Sequence, residues 1–160
     1  DRKSLLSAFT TLTVREAYLR LAGWDPWTAW AADRFDFDMA TKIEPALRTM
    51  GPVFLTDYPP QAASLAKVRG AVAERWEFYW NGLELANCFT ELCDADEQRR
   101  RFEAARATRR ALGESDYPLD ARFLETLPAI GSAAGVALGV DRLVMVLTGA
   151  PDISSVRAPE

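Results

Sequence analysis

The sequence predicts an α+β fold in which an antiparallel β-sheet is flanked by helices. Three features indicate this class: a β-hairpin centred on Asn81-Gly82, a capped helix over 94–112, and a small-residue strand over 131–139 that leads into an apolar helix. Strands and helices in this order favour a sheet with helices packed against it. A chain of 160 residues is also long enough to bury a core of its own.

The first fifty residues are predicted to be helical. Thr13 is a suitable N-cap, Glu16 three residues later completes a capping box, and Gly23 ends the helix. A second helix is expected over 33–42, before Pro45 interrupts the pattern. Between the helices lie three tryptophans, which indicate an aromatic packing cluster rather than a ligand cage. They are Trp24, Trp27 and Trp30.

A strand and then a hairpin are predicted in the middle of the chain. Residues 53–56 are β-prone and end at a proline-containing loop. Two further β-prone runs, 72–80 and 83–92, are joined by Asn81-Gly82, the dipeptide that a two-residue type I′ turn prefers.

The last third of the chain alternates helices with one short strand. Asp94 is predicted to cap a helix that Gly113 ends, and the acids interleaved with the arginine run 99–101 favour a solvated face over a phosphate or RNA site. A short helix is expected over 120–127, and an apolar helix over 141–147 follows the small-residue strand.

Composition excludes several kinds of function. The 19 basic and 23 acidic side chains give a net charge of −4, without the clustered positive charge that a nucleic-acid backbone requires, so no direct nucleic-acid partner is expected. The chain contains no histidine, which removes histidine triads and imidazole acid–base chemistry. Catalysis would depend on carboxylates, arginine, lysine, hydroxyls or a bound metal.

The cysteines and the lack of a long apolar run predict a cytoplasmic protein without a membrane partner. Cys88 and Cys93 match neither a CxxC redox pair nor half of a zinc knuckle, so both are expected to be reduced thiols. No segment resembles a signal peptide or a membrane span. Asp1 is expected to mark a truncation rather than the natural N-terminus.

Two carboxylates are predicted to share one face of the hairpin. In a regular ribbon with this turn Tyr79 faces Glu84 and Glu77 faces Ala86, which puts Glu77 and Glu84 one diagonal step apart. Two such carboxylates can hold one Mg²⁺ together with substrate phosphates. The alternative is the solvated face of a half-exposed sheet.

The residues of this hairpin can form one site only under a geometric condition. In a regular strand Asn87, Phe89 and Glu91 would point away from Glu84. A single-residue bulge within 85–87 would bring them to the carboxylate side, and bulges are common beside active sites. If these residues form one site, we therefore expect a bulge there.

The segment 135–142 provides a flat surface next to a cation. Gly135, Ala137 and Gly139 share strand parity and have almost no side chain, so a ligand could lie against them. Arg142 opens the following helix and can contact a phosphate or stack on a base. Close packing of the helix on the strand would explain the glycines equally well.

Three ordered motifs together resemble the class II lysyl-tRNA synthetases and their short paralogues, the elongation factor P–lysine ligases. Residues 77–102 resemble the lysine-binding region, residues 135–142 resemble class II motif 3, and residues 54–59 resemble the strand before the substrate region. The likeness covers about 52–155 and is weaker before that.

The resemblance implies an ATP-dependent enzyme and assigns roles to individual residues. It implies that Glu77 and Glu84 bind ATP through Mg²⁺ and that Arg142 contacts the nucleotide. It implies further that Asn87 holds the amino-acid end of lysine. It also implies that Phe89 lines the slot for the lysine side chain and that Glu91 pairs with the distal ammonium.

The reaction that the resemblance implies is attack of a carboxylate on the α-phosphate of ATP, with release of pyrophosphate. The lysyl or β-lysyl group of this adenylate would then be transferred to a lysine of elongation factor P, with release of AMP. Ala137 stands where the synthetases usually have glycine, which favours the ligase and β-lysine. A lysyl-tRNA synthetase fragment and a catalytically silent binding paralogue stay open as alternatives.

The resemblance also defines the expected extent of the domain. Residues 1–50 would lead into the catalytic domain and residues 51–160 would form its C-terminal half. Motifs 1 and 2, which build the dimer interface and supply an arginine for the α-phosphate, would lie upstream, so the chain alone is expected to be inactive and the full-length protein a homodimer. Cys88 departs from the ligase pattern, in which glycine follows the asparagine.

Overall fold

The computed structural model describes residues 9–157, in which six strands form one sheet. In chain order the strands are β1 (Thr10–Thr13), β2 (Val53–Tyr58), β3 (Val68–Arg69), β4 (Val72–Trp80), β5 (Leu83–Thr90) and β6 (Ala134–Leu138). The α-helices are α1 (Val14–Ala17), α2 (Ala32–Asp38), α3 (Glu44–Leu47), α4 (Ala95–Ala111), α5 (Ala121–Thr126) and α6 (Val140–Thr148). Turns of π-helix, Tyr18–Ala22 and Met39–Ile43, follow α1 and α2.

The sheet has the strand order β1-β2-β4-β5-β6, and β3 extends from β4. Every pairing is antiparallel except that of β1 with β2. The predicted α+β class, an antiparallel sheet flanked by helices, is confirmed.

The prediction that the first fifty residues are helical misses β1. Thr10 to Thr13 pair with Val53 to Thr56 in parallel. The partner lies about forty residues further along the chain, so no local pattern revealed the strand. The capping box of Thr13 and Glu16 is present, and Gly23 ends the first helical segment with φ 75°. Residues 1–8 of this predicted segment lie outside the described part.

Pro45 does not end the second helical segment, contrary to the prediction. The chain stays helical from α2 through the π-helical turn into α3. Pro45 lies in the first turn of α3, where a missing amide hydrogen costs little.

The hairpin of β4 and β5 has the predicted turn and the predicted bulge. Asn81 and Gly82 both have positive φ, 52° and 74°, as a type I′ turn requires. Tyr79 pairs with Glu84, but the register then shifts. As a result Glu77 pairs with Asn87, and the regular pairing of Glu77 with Ala86 is wrong because Leu85 is the extra residue.

The core lies between one face of the sheet and the helices that precede β2. It contains Val14, Tyr18, Ile43, Leu47, Val53 and Leu55, all fully buried. Trp24 is buried and its indole N–H donates to Asp38 Oδ2 at 2.8 Å, while Trp27 and Trp30 pack against the core. The tryptophans are therefore packing residues, as predicted.

The helices of the last third also follow the sequence. Asp94 caps α4 by accepting from the Glu97 amide, and Gly113 adopts φ 72° just beyond it. In the described residues, no helix has both the length and the apolar character needed to cross a bilayer.

Candidate functional site

Most of the predicted site residues lie in two rows across β4, β5 and β6. One row is Glu77, Asn87 and Ala137, and the next on the same face is Arg75, Phe89 and Gly135. Residues that pair directly across strands share a face of the sheet. The bulge at Leu85 is what places Asn87 opposite Glu77, so the geometric condition set by the sequence is met.

Glu77 lies at the bottom of a cavity of about 300 Å³ and is 6% exposed. Its Oε2 accepts hydrogen bonds from the hydroxyls of Tyr58 at 2.5 Å and Tyr79 at 2.7 Å. Its Oε1 is paired with the Arg75 guanidinium. Both oxygens of this buried carboxylate therefore have partners within the protein.

Glu84 lines the same cavity from the start of β5 and is more open, with 37% of its side chain exposed. Arg142, in the first turn of α6, donates from Nη1 to the Glu84 carbonyl at 2.8 Å and lies 3.9 Å from Glu84 Oε2. The expected cation therefore lies beside one of the two expected carboxylates.

The acids around the cavity affect each other's protonation. Burial raises the pKa of the Glu84 carboxyl, the charge of Glu77 raises it further, and Arg142 opposes the shift. Burial likewise raises the pKa of Glu44, whose Oε1 lies 3.4 Å from the Tyr79 hydroxyl oxygen. The pKa of Tyr58 is held well above its usual value, chiefly by burial, so its hydroxyl stays a donor.

Asn87 has an unused hydrogen-bond acceptor. Its Oδ1 is buried and accepts no hydrogen bond from any described residue. A buried acceptor without a partner costs about 1–3 kcal/mol. This oxygen is therefore suited to receive a donor from a ligand.

Glu91 and Gly135 lie close together at the far end of these rows. A Cβ on Gly135 would lie 2.6 Å from Glu91 Oε1, so the carboxylate at the end of this flexible side chain would have to move aside for any larger residue. Glu91 lines a second cavity, of about 390 Å³, that also includes Lys67. The structure thus places Glu91 away from the cavity of Glu77 and Glu84, with Asn87 and Phe89 on the strand between them.

The remaining predicted residues complete the edge of the sheet. Gly139, just after β6, donates from its amide to the Leu85 carbonyl at 2.8 Å, and a Cβ there would lie 3.6 Å from Arg142 Cδ. Cys88 pairs with Trp76 and Val136 and so faces the opposite side of the sheet. Replacing glycine by cysteine at this position therefore adds no side chain to the site face.

Sequence reasoning missed nine of the residues that line the cavity around Glu77. Five of them are titratable: Asp36, Glu44, Tyr58, Arg75 and Tyr79. The period-2 alternation on β4 could have identified Arg75 and Tyr79, which flank Glu77 on the same face. Glu44 comes from α3, and no local pattern relates it to the hairpin.

The described residues suit a magnesium ion only in part. No group of three or more acidic, cysteine or histidine side chains in residues 9–157 could hold a metal by itself. Mg²⁺ is often bound by one or two carboxylates together with phosphate oxygens, and the open carboxylate of Glu84 fits that requirement. Glu77 would have to release a donor first.

Comparison with known proteins matches these features to one family. The family model described as class II tRNA synthetases (D, K and N) matches residues 2–158. Curated relatives include proteins named elongation factor P–(R)-β-lysine ligase. The one from Proteus mirabilis is 47% identical over 120 residues, which cover 72% of this chain and 37% of that protein.

Two other relatives with that name give the same result. The protein from Histophilus somni strain 2336 is 44% identical over 75% of this chain and 38% of its own length. The protein from Pectobacterium atrosepticum is 45% identical over 72% of this chain and 37% of its own length. The chain thus spans less than two fifths of the relatives that it matches. Since the family model covers nearly the whole sequence, the chain belongs to the class II tRNA synthetases of the D, K and N group.

Proposed function

We propose that the intact protein is a ligase that activates lysine or β-lysine with ATP as an adenylate and transfers it to a lysine of elongation factor P. Membership of the class II family and the names of its relatives support this function. The structural observation that carries it is the buried, unpaired Oδ1 of Asn87, which lies between Glu77 and Ala137 on one face of the sheet.

Asn87 would bind the amino group at the reacting end of the substrate. Its Oδ1 is an acceptor only, and a substrate ammonium is a charged donor, so the hydrogen bond between them would be stronger than a neutral one. Substrate binding would therefore satisfy an atom that has no partner in the described part of the chain.

Glu91, Phe89 and Gly135 would recognise the other end of the substrate. The Glu91 carboxylate would pair with the distal ammonium, and the Phe89 ring would line the aliphatic slot. Gly135 leaves the space that Glu91 occupies. Gly139 would continue the flat surface beside Arg142, although a Cβ there would make only an ordinary contact of 3.6 Å with Arg142 Cδ.

Glu84, Glu77 and Arg142 would form the nucleotide side. Glu84 would be the direct ligand of Mg²⁺, with Glu77 as the second carboxylate, and Arg142 would contact the nucleotide. The magnesium ion would neutralise phosphate charge during attack on the α-phosphate. The protein residues would position the reactants, since this chemistry needs no protein nucleophile.

The methyl group of Ala137 would favour β-lysine over α-lysine. Ala137 pairs with Asn87, so its methyl group lies beside the atom that would hold the substrate amino group. In β-lysine the amino group lies one carbon further from the carboxylate. The relatives' names, which specify (R)-β-lysine, support this preference.

The setting of the reaction is also part of the proposal. We propose that residues 51–160 form the C-terminal half of a catalytic domain into which residues 1–50 lead. The protein would act as a homodimer in the cytoplasm without binding nucleic acid through this segment. Both cysteines are free thiols, which is consistent with a reducing compartment.

The test is amino-acid-dependent ATP–pyrophosphate exchange by the intact protein, followed by mass spectrometry of elongation factor P. We expect exchange with (R)-β-lysine and a mass increase on one lysine of elongation factor P. Absence of exchange with every lysine isomer would refute the adenylation step. Exchange followed by transfer to tRNA instead would support the second candidate, a lysyl-tRNA synthetase, which the family model's K group favours.

A further inference from the structure

We propose that Arg75 is a positioning residue that holds the nucleotide side and the lysine side of the site in one arrangement. This inference rests on the proposed function. Arg75 lies on β4, two residues before Glu77, and its side chain is 17% exposed.

The guanidinium of Arg75 contacts both sides of the site. Nη2 donates to Glu77 Oε1, while Nη1 donates to the Ala62 carbonyl at 2.9 Å. The guanidinium carbon lies 4.3 Å from the centre of the Tyr58 ring and 5.7 Å from that of the Phe89 ring. One planar group thus connects the buried carboxylate, the turn after β2 and the aromatic side chain on β5.

Charge balance makes Arg75 necessary in this place. Four acids line the cavity around Glu77, and Arg75 is the only cation among its described lining residues. Those acids are Asp36, Glu44, Glu77 and Glu84. Removing one partner of a buried ion pair leaves the other charge uncompensated, so without Arg75 the Glu77 carboxylate would lose the cation that holds it in place.

Lysine cannot replace Arg75 in this role. A guanidinium donates in two directions within one plane and stacks on aromatic rings, whereas an ammonium is a point charge on a flexible stem. The Arg75→Lys variant would therefore keep the charge beside Glu77 but lose either the Ala62 contact or the stacking on Tyr58. The Arg75→Lys variant therefore distinguishes a positioning role of Arg75 from neutralisation of charge alone.

The test uses Arg75→Lys and Arg75→Met in the intact protein, with Arg69→Met as the matched control. Arg69 pairs with Glu74 at 2.7 Å on the neighbouring ladder, is 75% exposed and lies outside the cavity. Pyrophosphate exchange gives kcat and the KM for the lysine substrate, and circular dichroism gives the thermal midpoint.

We expect the thermal midpoint of Arg75→Lys to lie within a few degrees of that of the wild type. Its kcat should fall about tenfold or more and its KM for the lysine substrate should rise, because misplacement of a reacting group by about 1 Å can cost 10²-fold in rate. If Arg75→Met does not fold, the lysine variant decides. Kinetics in Arg75→Lys equal to those of Arg69→Met would overturn the inference while leaving the proposed function in place. A wild type without exchange would overturn both.

Discussion

Single residues of the site differ sharply in how many partners the protein already gives them. Both oxygens of Glu77 are occupied by donors, whereas Asn87 Oδ1 has no donor among residues 9–157 and Glu84 is partly open to solvent. Residues with unused polar atoms are the ones available to a ligand. On this basis Asn87 would touch the substrate and Glu84 the metal, and Glu77 would join the metal only after it releases a donor.

Ala137→Gly in the intact protein tests the specificity assigned to one methyl group. We expect the ratio of kcat/KM for (R)-β-lysine to that for α-lysine to fall by about tenfold, the size of effect that one methylene has in a pocket. Steady-state kinetics with both lysines measure the ratio. An unchanged ratio would remove Ala137 from the account of specificity.

Glu91→Gln tests whether Glu91 recognises the distal ammonium. We expect the Kd for the lysine substrate to rise at least about tenfold, because a charge-assisted hydrogen bond is replaced by a neutral one, while the Kd for ATP changes little. Calorimetry with each ligand measures both constants, and Glu125→Gln on the exposed side of α5 is the control. Equal losses for lysine and ATP would make Glu91 a structural residue.

Glu44→Gln tests whether repulsion between the acids of the cavity lowers the stability of the protein. Burial and Glu77 raise the pKa of Glu44 above its ordinary value of 4.5 in the folded protein. The folded state therefore binds the Glu44 proton more tightly than the unfolded state does, and this tighter binding stabilises the fold. The stabilisation is full below pH 4.5 and is lost as the pH rises through the folded-state pKa. Glutamine keeps the acceptor for Tyr79 without the charge.

We therefore expect Glu44→Gln to raise the thermal midpoint at pH 7.5, and the gain to shrink as the pH is lowered towards 4. Melting curves across this range measure the effect, and Glu125→Gln should show no such pH dependence. A lower midpoint for Glu44→Gln at pH 7.5 would contradict the expected crowding.

At the scale of elements, the hairpin is what assembles the site. The turn at Asn81-Gly82 sets the register near the tip, and the bulge at Leu85 sets it for the rest of β5. Without the bulge, Asn87 would point to the opposite face, since a slip of one residue reverses every side chain. The strand interiors supply the residue types, but the bulge decides which of them meet.

Gly82→Ala tests how tightly this turn is held. At Gly82 φ is 74°, and a Cβ would lie 3.2 Å from Arg48 Cβ. We expect a loss of about 1–2 kcal/mol from the left-handed conformation and an additional loss from the contact with Arg48. Chemical denaturation measures the free energy of unfolding.

Gly70→Ala is the matched control for the turn. Gly70 also has positive φ, 59°, but nothing lies within 4 Å of a Cβ there. The difference between the two variants isolates the contact between the hairpin turn and Arg48. Equal losses would show that this contact has no energetic role.

The sequence revealed those elements whose signals are local. Caps identified α4 and α5, the Asn-Gly dipeptide identified the hairpin, and small residues before an apolar run identified β6 and α6. β1 was not predicted because its partner strand is distant in the sequence. Glu44 and Tyr58 were not assigned to the site because they reach the cavity of Glu77 from other elements. The need for a bulge was predictable from parity, but its exact residue was not.

In the molecule as a whole, as far as residues 9–157 describe it, the sheet ends in an uncovered edge. Within this range β6 pairs with β5 alone, and all five of its residues are exposed. Val136 and Leu138 are 60% and 48% exposed, and Val140 and Leu147 of α6 are also open. Unpaired edges with apolar side chains promote association between chains.

We therefore expect the 160-residue chain on its own to self-associate, and Val136→Lys to reduce that association several-fold. Val136 faces away from Gly135 and Ala137, so the substitution leaves the site face unchanged. Sedimentation velocity at increasing concentration measures both proteins. A monomeric wild-type chain throughout would show that this edge is tolerated.

A crystal structure of the intact protein with (R)-β-lysine and MgATP would test most directly whether the aligned rows of β4, β5 and β6 form the substrate site. We predict a substrate amino nitrogen within hydrogen-bond distance, about 2.7–3.2 Å, of Asn87 Oδ1, with Glu91 at the distal ammonium and Glu84 on the metal. A substrate bound elsewhere, with Asn87 Oδ1 still lacking a partner, would contradict it.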